Sequence, residues 1–369
     1  MKDRLVYVDG LRAIAVLGVV LSHAAKYSMS FINGGAPYHA MYEGAHGVDL
    51  FFVISGFCLS FPTLAAIRKG VGRPFDVAGF FARRIVRIVP PYWIAFVIVL
   101  AGSIGFVAAG YALPWPTVIM PPTVANGLMQ LAFLTPGNNL VGSFWTLAVE
   151  FRWYLAFPLI LWIWIRSPAV FAAVGAAALV LYATHETRIV DLATLPAFML
   201  GIVAADMTIR RHRICAWAVV LCVPALLAAL WLEPKGHLNF AYQDQIWWQA
   251  PFFFLILAAG ANKPLQAILE FKPLVFIGVA SYSIYLLHDP LMALYGEYGG
   301  TNPFACALIG VLSGVLFWWY CERPFVSAPL KGTLVSQITD IFHAVRRLLR
   351  IPGTIPSPAP AAAPLSSKL

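Results

Sequence analysis

The sequence predicts an all-α fold, a polytopic membrane helix bundle of about ten transmembrane helices, on three observations. Hydrophobic residues make up 60% of the 369-residue chain and charged residues 11%, with a mean hydropathy of +0.78. That is far more apolar than the core of a soluble domain of this size requires. The apolar residues gather into stretches long enough to cross a bilayer. The basic residues gather in alternate loops, on one side of the membrane.

Crossing about 30 Å of hydrocarbon at about 1.5 Å per residue takes about 20 residues. Stretches of that kind lie at 7–25, 48–66, 89–110, 144–165, 169–184, 189–206, 214–232, 246–260, 273–292 and 303–321. Those at 169–184 and 246–260 are short for a full crossing. With the N-terminus placed in the cytoplasm, 20 of the 25 Lys and Arg fall in cytoplasmic segments. They are Lys2 and Arg4, the group Arg68, Lys69, Arg73, Arg83, Arg84 and Arg87, then Arg166, Arg210, Arg211, Arg213, Lys263, Lys272 and six in the C-terminal region. Lys26, Arg188 and Lys235 face outward, while Arg12 and Arg152 lie inside spans. This asymmetry predicts a multi-pass protein of the cell inner membrane with both termini cytoplasmic.

The chain divides into a transmembrane domain over 1–325, an amphipathic basic segment over 326–351 and a Pro/Ala-rich tail over 352–369. The basic segment suits an interfacial helix on the inner leaflet, and the tail has a disordered composition. The loop 111–142 is uncharged and holds several prolines, so it is expected to hug the membrane face or re-enter it. The net charge of +9 is explained by the membrane topology, and no nucleic-acid partner is expected. Five scattered cysteines without CxxC spacing predict neither a disulfide framework nor a metal site. The first 30 residues carry Arg12 within the apolar run and read as a permanent span, not a cleaved signal.

Ionisable groups inside spans carry the functional expectation, because each costs about 2.5–3.5 kcal/mol to insert. Arg12 and His23 stand eleven residues apart, about 20° beyond three full turns, so they share a face with about 16.5 Å between them along the axis. Arg12 lies nearer the cytoplasm. Asp49 and Glu150 each lie near the outward end of a span, at a depth that can match His23. A carboxylate on one ring nitrogen fixes the tautomer and raises the basicity of the other, as a general base requires. Arg152 is two residues from Glu150 and on a different helix face, so an ion pair to another helix suits it as well as a site role. Arg83, Arg84 and Arg87 can clamp phosphates with their guanidinium forks, although a positive-inside anchor alone accounts for them. His288-Asp289-Pro290 reads as a structural cluster where proline frees a carbonyl.

The segments YVDGLRAIAVLGVVLSHA with its R-x10-H spacing, GVDLFFVISGFCLS, ARRIVRIVPPYW, SFWTLAVEFRWYL and SYSIYLLHDPL, in this order from residue 7 to about 325, resemble the acyltransferase 3 family of integral-membrane acyltransferases. The resemblance implies a ten-helix bundle, a cytoplasmic acyl-CoA donor, usually acetyl-CoA, and a hydroxyl acceptor on a cell-envelope carbohydrate or glycolipid. It implies that His23 is catalytic, that Arg12 is the motif's essential arginine, that Arg84 and Arg87 meet donor phosphates, and that Glu150 is the acidic site position. Many relatives carry a fused extracytoplasmic SGNH-type domain that this sequence does not show, so completion of transfer in the membrane domain or hand-over to a partner protein is expected. No permanently bound cofactor is expected. Whether His23 acts as base or forms an acyl-imidazole stays open. The alternative is a membrane transporter or flippase using the intramembrane Arg, His and Glu as a relay. An inactive membrane scaffold is a third reading. A serine hydrolase is disfavoured by the absence of G-x-S-x-G.

Overall fold

The computed structural model describes residues 5–28, 36–70, 75–111, 123–134, 140–184, 189–232 and 245–348. Among them there are helices and turns and no strand. The helices are α1 (Val6–Ser28), α2 (Ala36–Tyr42), α3 (Gly47–Arg68), α4 (Val77–Ala108), α5 (Val124–Leu131), α6 (Trp145–Arg166), α7 (Pro168–Thr184) and α8 (Val190–Ile209). They continue as α9 (Arg213–Leu232), α10 (Gln245–Ala261), α11 (Lys263–Leu269), α12 (Lys272–Val279), α13 (Ser281–Glu297), α14 (Pro303–Phe317), α15 (Arg323–Val326) and α16 (Ala328–Leu348).

Each of the ten apolar stretches is helical, and 273–292 is divided between α12 and α13. Among the described residues seven helices are long and apolar enough to cross a membrane unbroken, and the number is nine if each of two bent pairs is one span. α10 and α11 meet at 101°, and α12 and α13 at 73°, while α7, at 17 residues, is a shorter apolar helix. The tail 349–369, the loop stretches 112–122 and 135–139, and Lys2, Arg4, Arg73, Arg188 and Lys235 lie outside the described residues.

α1 is the central helix. Of its apolar window 67% is buried, against 17% for α9 at the periphery, and it packs on α3, α12, α13 and α14. In a bilayer the gain from such packing comes from close backbone approach, so small residues sit at the crossings. A methyl at Gly56 of α3 would fall 1.9 Å from the Phe198 carbonyl oxygen of α8, and one at Gly314 of α14 would fall 2.1 Å from the Ile284 Cα of α13. On the other face of α13, a methyl at Gly296 would fall 2.4 Å from the Tyr27 carbonyl oxygen, so α13 lies directly against the end of α1 that carries His23.

Local chemistry starts the other site-bearing helices. Asp76 caps α4, accepting from Gly79 N–H at 2.9 Å, and α4 then carries Arg83, Arg84 and Arg87 in its first three turns. The bend at Ala280 between α12 and α13 turns Ser281 and Tyr282 to the wall of an internal cavity. Arg152 of α6 makes a two-pronged ion pair with Asp191 of α8, 2.7 and 2.8 Å, which ties those helices together away from the site.

Candidate active site

His23 sits near the end of α1, four residues past Val19, whose carbonyl lies 3.0 Å from its Nδ1. The same nitrogen lies 3.2 Å from Nε2 of His288. On His288, Nδ1 faces the carbonyls of Tyr285 at 2.9 Å and Ile284 at 3.1 Å. A proton on His288 Nδ1 satisfies those oxygens and leaves its Nε2 to accept from His23 Nδ1–H. His23 then presents Nε2 with a free lone pair. Asp289 Oδ1 stands 3.9 Å from that nitrogen, close enough to balance an imidazolium once Nε2 has taken a proton. Asp289 is fully buried. Tyr27 donates to its Oδ1 at 2.5 Å and the Ser143 N–H to its Oδ2 at 3.0 Å, so its orientation is fixed from two other elements.

The carboxylate brought to His23 is thus Asp289, where the sequence pointed to Asp49 and Glu150. Matching depth was the only criterion available, and depth says nothing about which helices are neighbours. Asp49 starts α3 and lies 3.5 Å from Nδ1 of His46, three residues earlier, whose ring stacks on Trp248 at 4.5 Å. Glu150 belongs to a second region. The His288-Asp289 pair, read from sequence as structural, is part of the histidine cluster.

The second region is a cavity of roughly 840 Å³, including its open mouth. Arg12, Arg84 and Arg87 line one part of it, with Ser55, Cys58, Glu150 and Tyr154 between them. Glu150 Oε1 accepts from Ser55 Oγ at 2.9 Å and from the Tyr154 hydroxyl, one helical turn on. Arg12 donates to Asp9 Oδ1 at 3.1 Å and to Cys58 Sγ at 3.5 Å. Arg84 lies over the rings of Phe80 and Tyr154, 5.9 and 6.0 Å from their centroids. Its Nε is buried without a hydrogen-bond partner among the described residues, an N–H that an anionic guest can use. Arg83 points elsewhere. It pairs with Asp76 at 3.7 Å, both well exposed, and does not line the cavity with its two neighbours.

Hydroxyls join the two regions. Thr146 and Tyr285 line the cavity, lie 2.7 Å apart, and each reaches the Ser143 carbonyl at 3.2 Å. The backbone N–H of that same Ser143 holds Asp289. The Tyr285 ring is also 5.6 Å from that of His288. The cavity wall farthest along α13 therefore abuts the histidine cluster, with arginines at one part and the basic nitrogen beyond the other.

Residues 5–323 match a family model described as an acyltransferase domain. The chain belongs to the acyltransferase 3 family. Among the curated relatives, it is 26% identical to the peptidoglycan O-acetyltransferase OatA of Listeria monocytogenes, over 78% of this chain and 49% of that protein. It is 24% identical to the O-acetyltransferase OatA of Staphylococcus aureus, over 88% of this chain and 56% of that protein. It is 26% identical to the exopolysaccharide production protein ExoZ of Rhizobium meliloti, over 78% of this chain and 91% of that protein. The chain spans about half the length of the OatA proteins that it matches. No solved structure matches it.

Several residues of this site had no advance notice. Tyr154 stands four residues after Glu150 and Tyr27 four after His23, the spacing at which side chains meet on a helix, so both were legible as partners. Ser55, Thr146 and Tyr285 carried no such signal.

Proposed function

We propose that this acyltransferase domain moves an acyl group, acetyl in the first instance, from cytoplasmic acyl-CoA to a hydroxyl of a cell-envelope carbohydrate. The observation that carries the reading is His23, held in one tautomer by Val19 and His288 and backed by Asp289, beside a cavity lined by arginines. The names of the relatives, O-acetyltransferases and an exopolysaccharide production protein, support the acetyl group and the saccharide acceptor. The loop charges support a cytoplasmic arginine-bearing face and an outward His23 end.

In this reading CoA phosphates meet Arg84 and Arg87, and the pantetheine arm passes Arg12 toward Thr146 and Tyr285. His23 Nε2 takes the proton of the acceptor hydroxyl as its oxygen attacks the thioester carbonyl. The tetrahedral adduct expels the CoA thiolate, which takes the proton back from the imidazolium, giving an O-acyl sugar and free thiol. Asp289 stabilises the imidazolium while it exists. Acyl-imidazole formation on the same nitrogen uses the same donor and acceptor, and ping-pong kinetics with trapped acyl-His23 would mark it. The test is transfer of labelled acetyl from acetyl-CoA to cell-envelope glycan by the purified chain in lipid. Uptake of label into vesicles without a covalent product would instead support a transporter.

A further inference from the structure

α16 begins beyond the residues that match the family, 5–323, and packs back along α4. The rings of Phe342 and Phe81 lie 6.3 Å apart, and α15, just before α16, also packs on α4, so α16 lies along the arginine-bearing part of α4. Leu334, Val335, Ile338 and Phe342 recur at three- and four-residue steps and are all partly covered, which makes them the face laid against the bundle. Lys331 stands at the head of that covered face, where an apolar residue would satisfy packing alone.

The charges acting on Lys331 are those of Arg87, Arg84 and Arg83, in that order, as expected from an antiparallel run along α4. Burial, and then those cations, hold its ammonium below the ordinary lysine value. Arg83 is offset by Asp76. Glu322, whose charge reaches Arg87, already accepts from Ser283 at 2.6 Å, and Arg84 keeps its buried, unbonded Nε. Cations gathered at a partly covered surface repel one another, and a multiply charged anion relieves that repulsion.

We propose that Lys331 contacts the phosphates of the acyl-CoA nucleotide end, making α16 part of the donor site. The inference rests on acyl-CoA being the donor. The chemistry recognised is phosphate, which an anionic lipid headgroup also offers, and the choice of donor substrates separates the two sources.

The experiment compares wild-type chain, Lys331→Gln and Lys331→Arg in zwitterionic lipid, with acetyl-CoA and with acetyl-pantetheine, which lacks the nucleotide phosphates. Lys331→Gln should raise KM for acetyl-CoA about tenfold, leave kcat and acetyl-pantetheine turnover unchanged, and be rescued by Lys331→Arg. An unchanged KM for acetyl-CoA, or an equal loss with both donors, overturns the assignment. A change only when anionic lipid is added also overturns it, in favour of a headgroup site. Isotherms of CoA itself separate this failure from failure of the donor reading. Wild-type chain that does not bind CoA removes both, whereas wild type and Lys331→Gln binding CoA equally removes Lys331 alone.

Discussion

The histidine cluster and the arginine cavity differ in how their charges are compensated. At His23 every ionisable group is held by another: Asp289 takes hydrogen bonds from Tyr27 and Ser143, and His288 is fixed by two carbonyls of its own helix. In the cavity the carboxylate Glu150 is occupied by hydroxyls, while the Arg84 Nε–H has no hydrogen-bond partner among the described residues. A region whose groups are locked together suits proton transfer, where geometry must persist through the reaction. A region with surplus positive charge suits capture of an anion, whose binding supplies what is missing. On the proposed function the two ends divide chemistry from donor binding, and kinetics can separate them.

The sharpest break comes from His23→Ala, for which kcat should fall by about 10²–10⁴-fold with the protein still folded; normal turnover would remove the mechanism. Arg84→Gln and Arg87→Gln act at the other end, and each should raise KM for acetyl-CoA about tenfold while sparing kcat. If either variant lowers kcat alone, the division of labour fails. Tyr27→Phe removes one of the bonds on Asp289 and should lower kcat about fivefold. Arg152→Gln touches neither end. It should leave turnover per folded molecule unchanged and cost about 1 kcal/mol of stability in a thermal unfolding assay, because its partner is Asp191. A catalytic defect there would extend the site into α8.

The sequence disclosed the membrane bundle, the intramembrane and half-buried Arg12 and His23, and the arginines of α4, because insertion cost and helical spacing are local properties. Its error at His23 has a physical cause. Asp49, Glu150 and Asp289 all sit near span ends of similar depth, and only the packing of α13 on α1 selects Asp289. Gly296 of α13 permits that packing, since a methyl there would fall 2.4 Å from the Tyr27 carbonyl oxygen of α1, yet a glycine in an apolar run does not reveal which helix it will meet. The bend at Ala280 was equally hidden, since 273–292 reads as one apolar stretch although it folds as two helices at 73°. The pairing of His46 with Asp49, by contrast, is an i, i+3 contact within reach of sequence.

The most direct test of the division between chemistry and binding is a full acetyl-CoA saturation curve for Asp289→Asn in lipid, at matched folded protein. The substitution keeps the side chain's size and removes the charge behind His23. The predicted result is a kcat lower by about 10²-fold with KM for acetyl-CoA unchanged. An unchanged kcat, or a rise in KM alone, would contradict the assignment of the histidine cluster as the chemical end of the site.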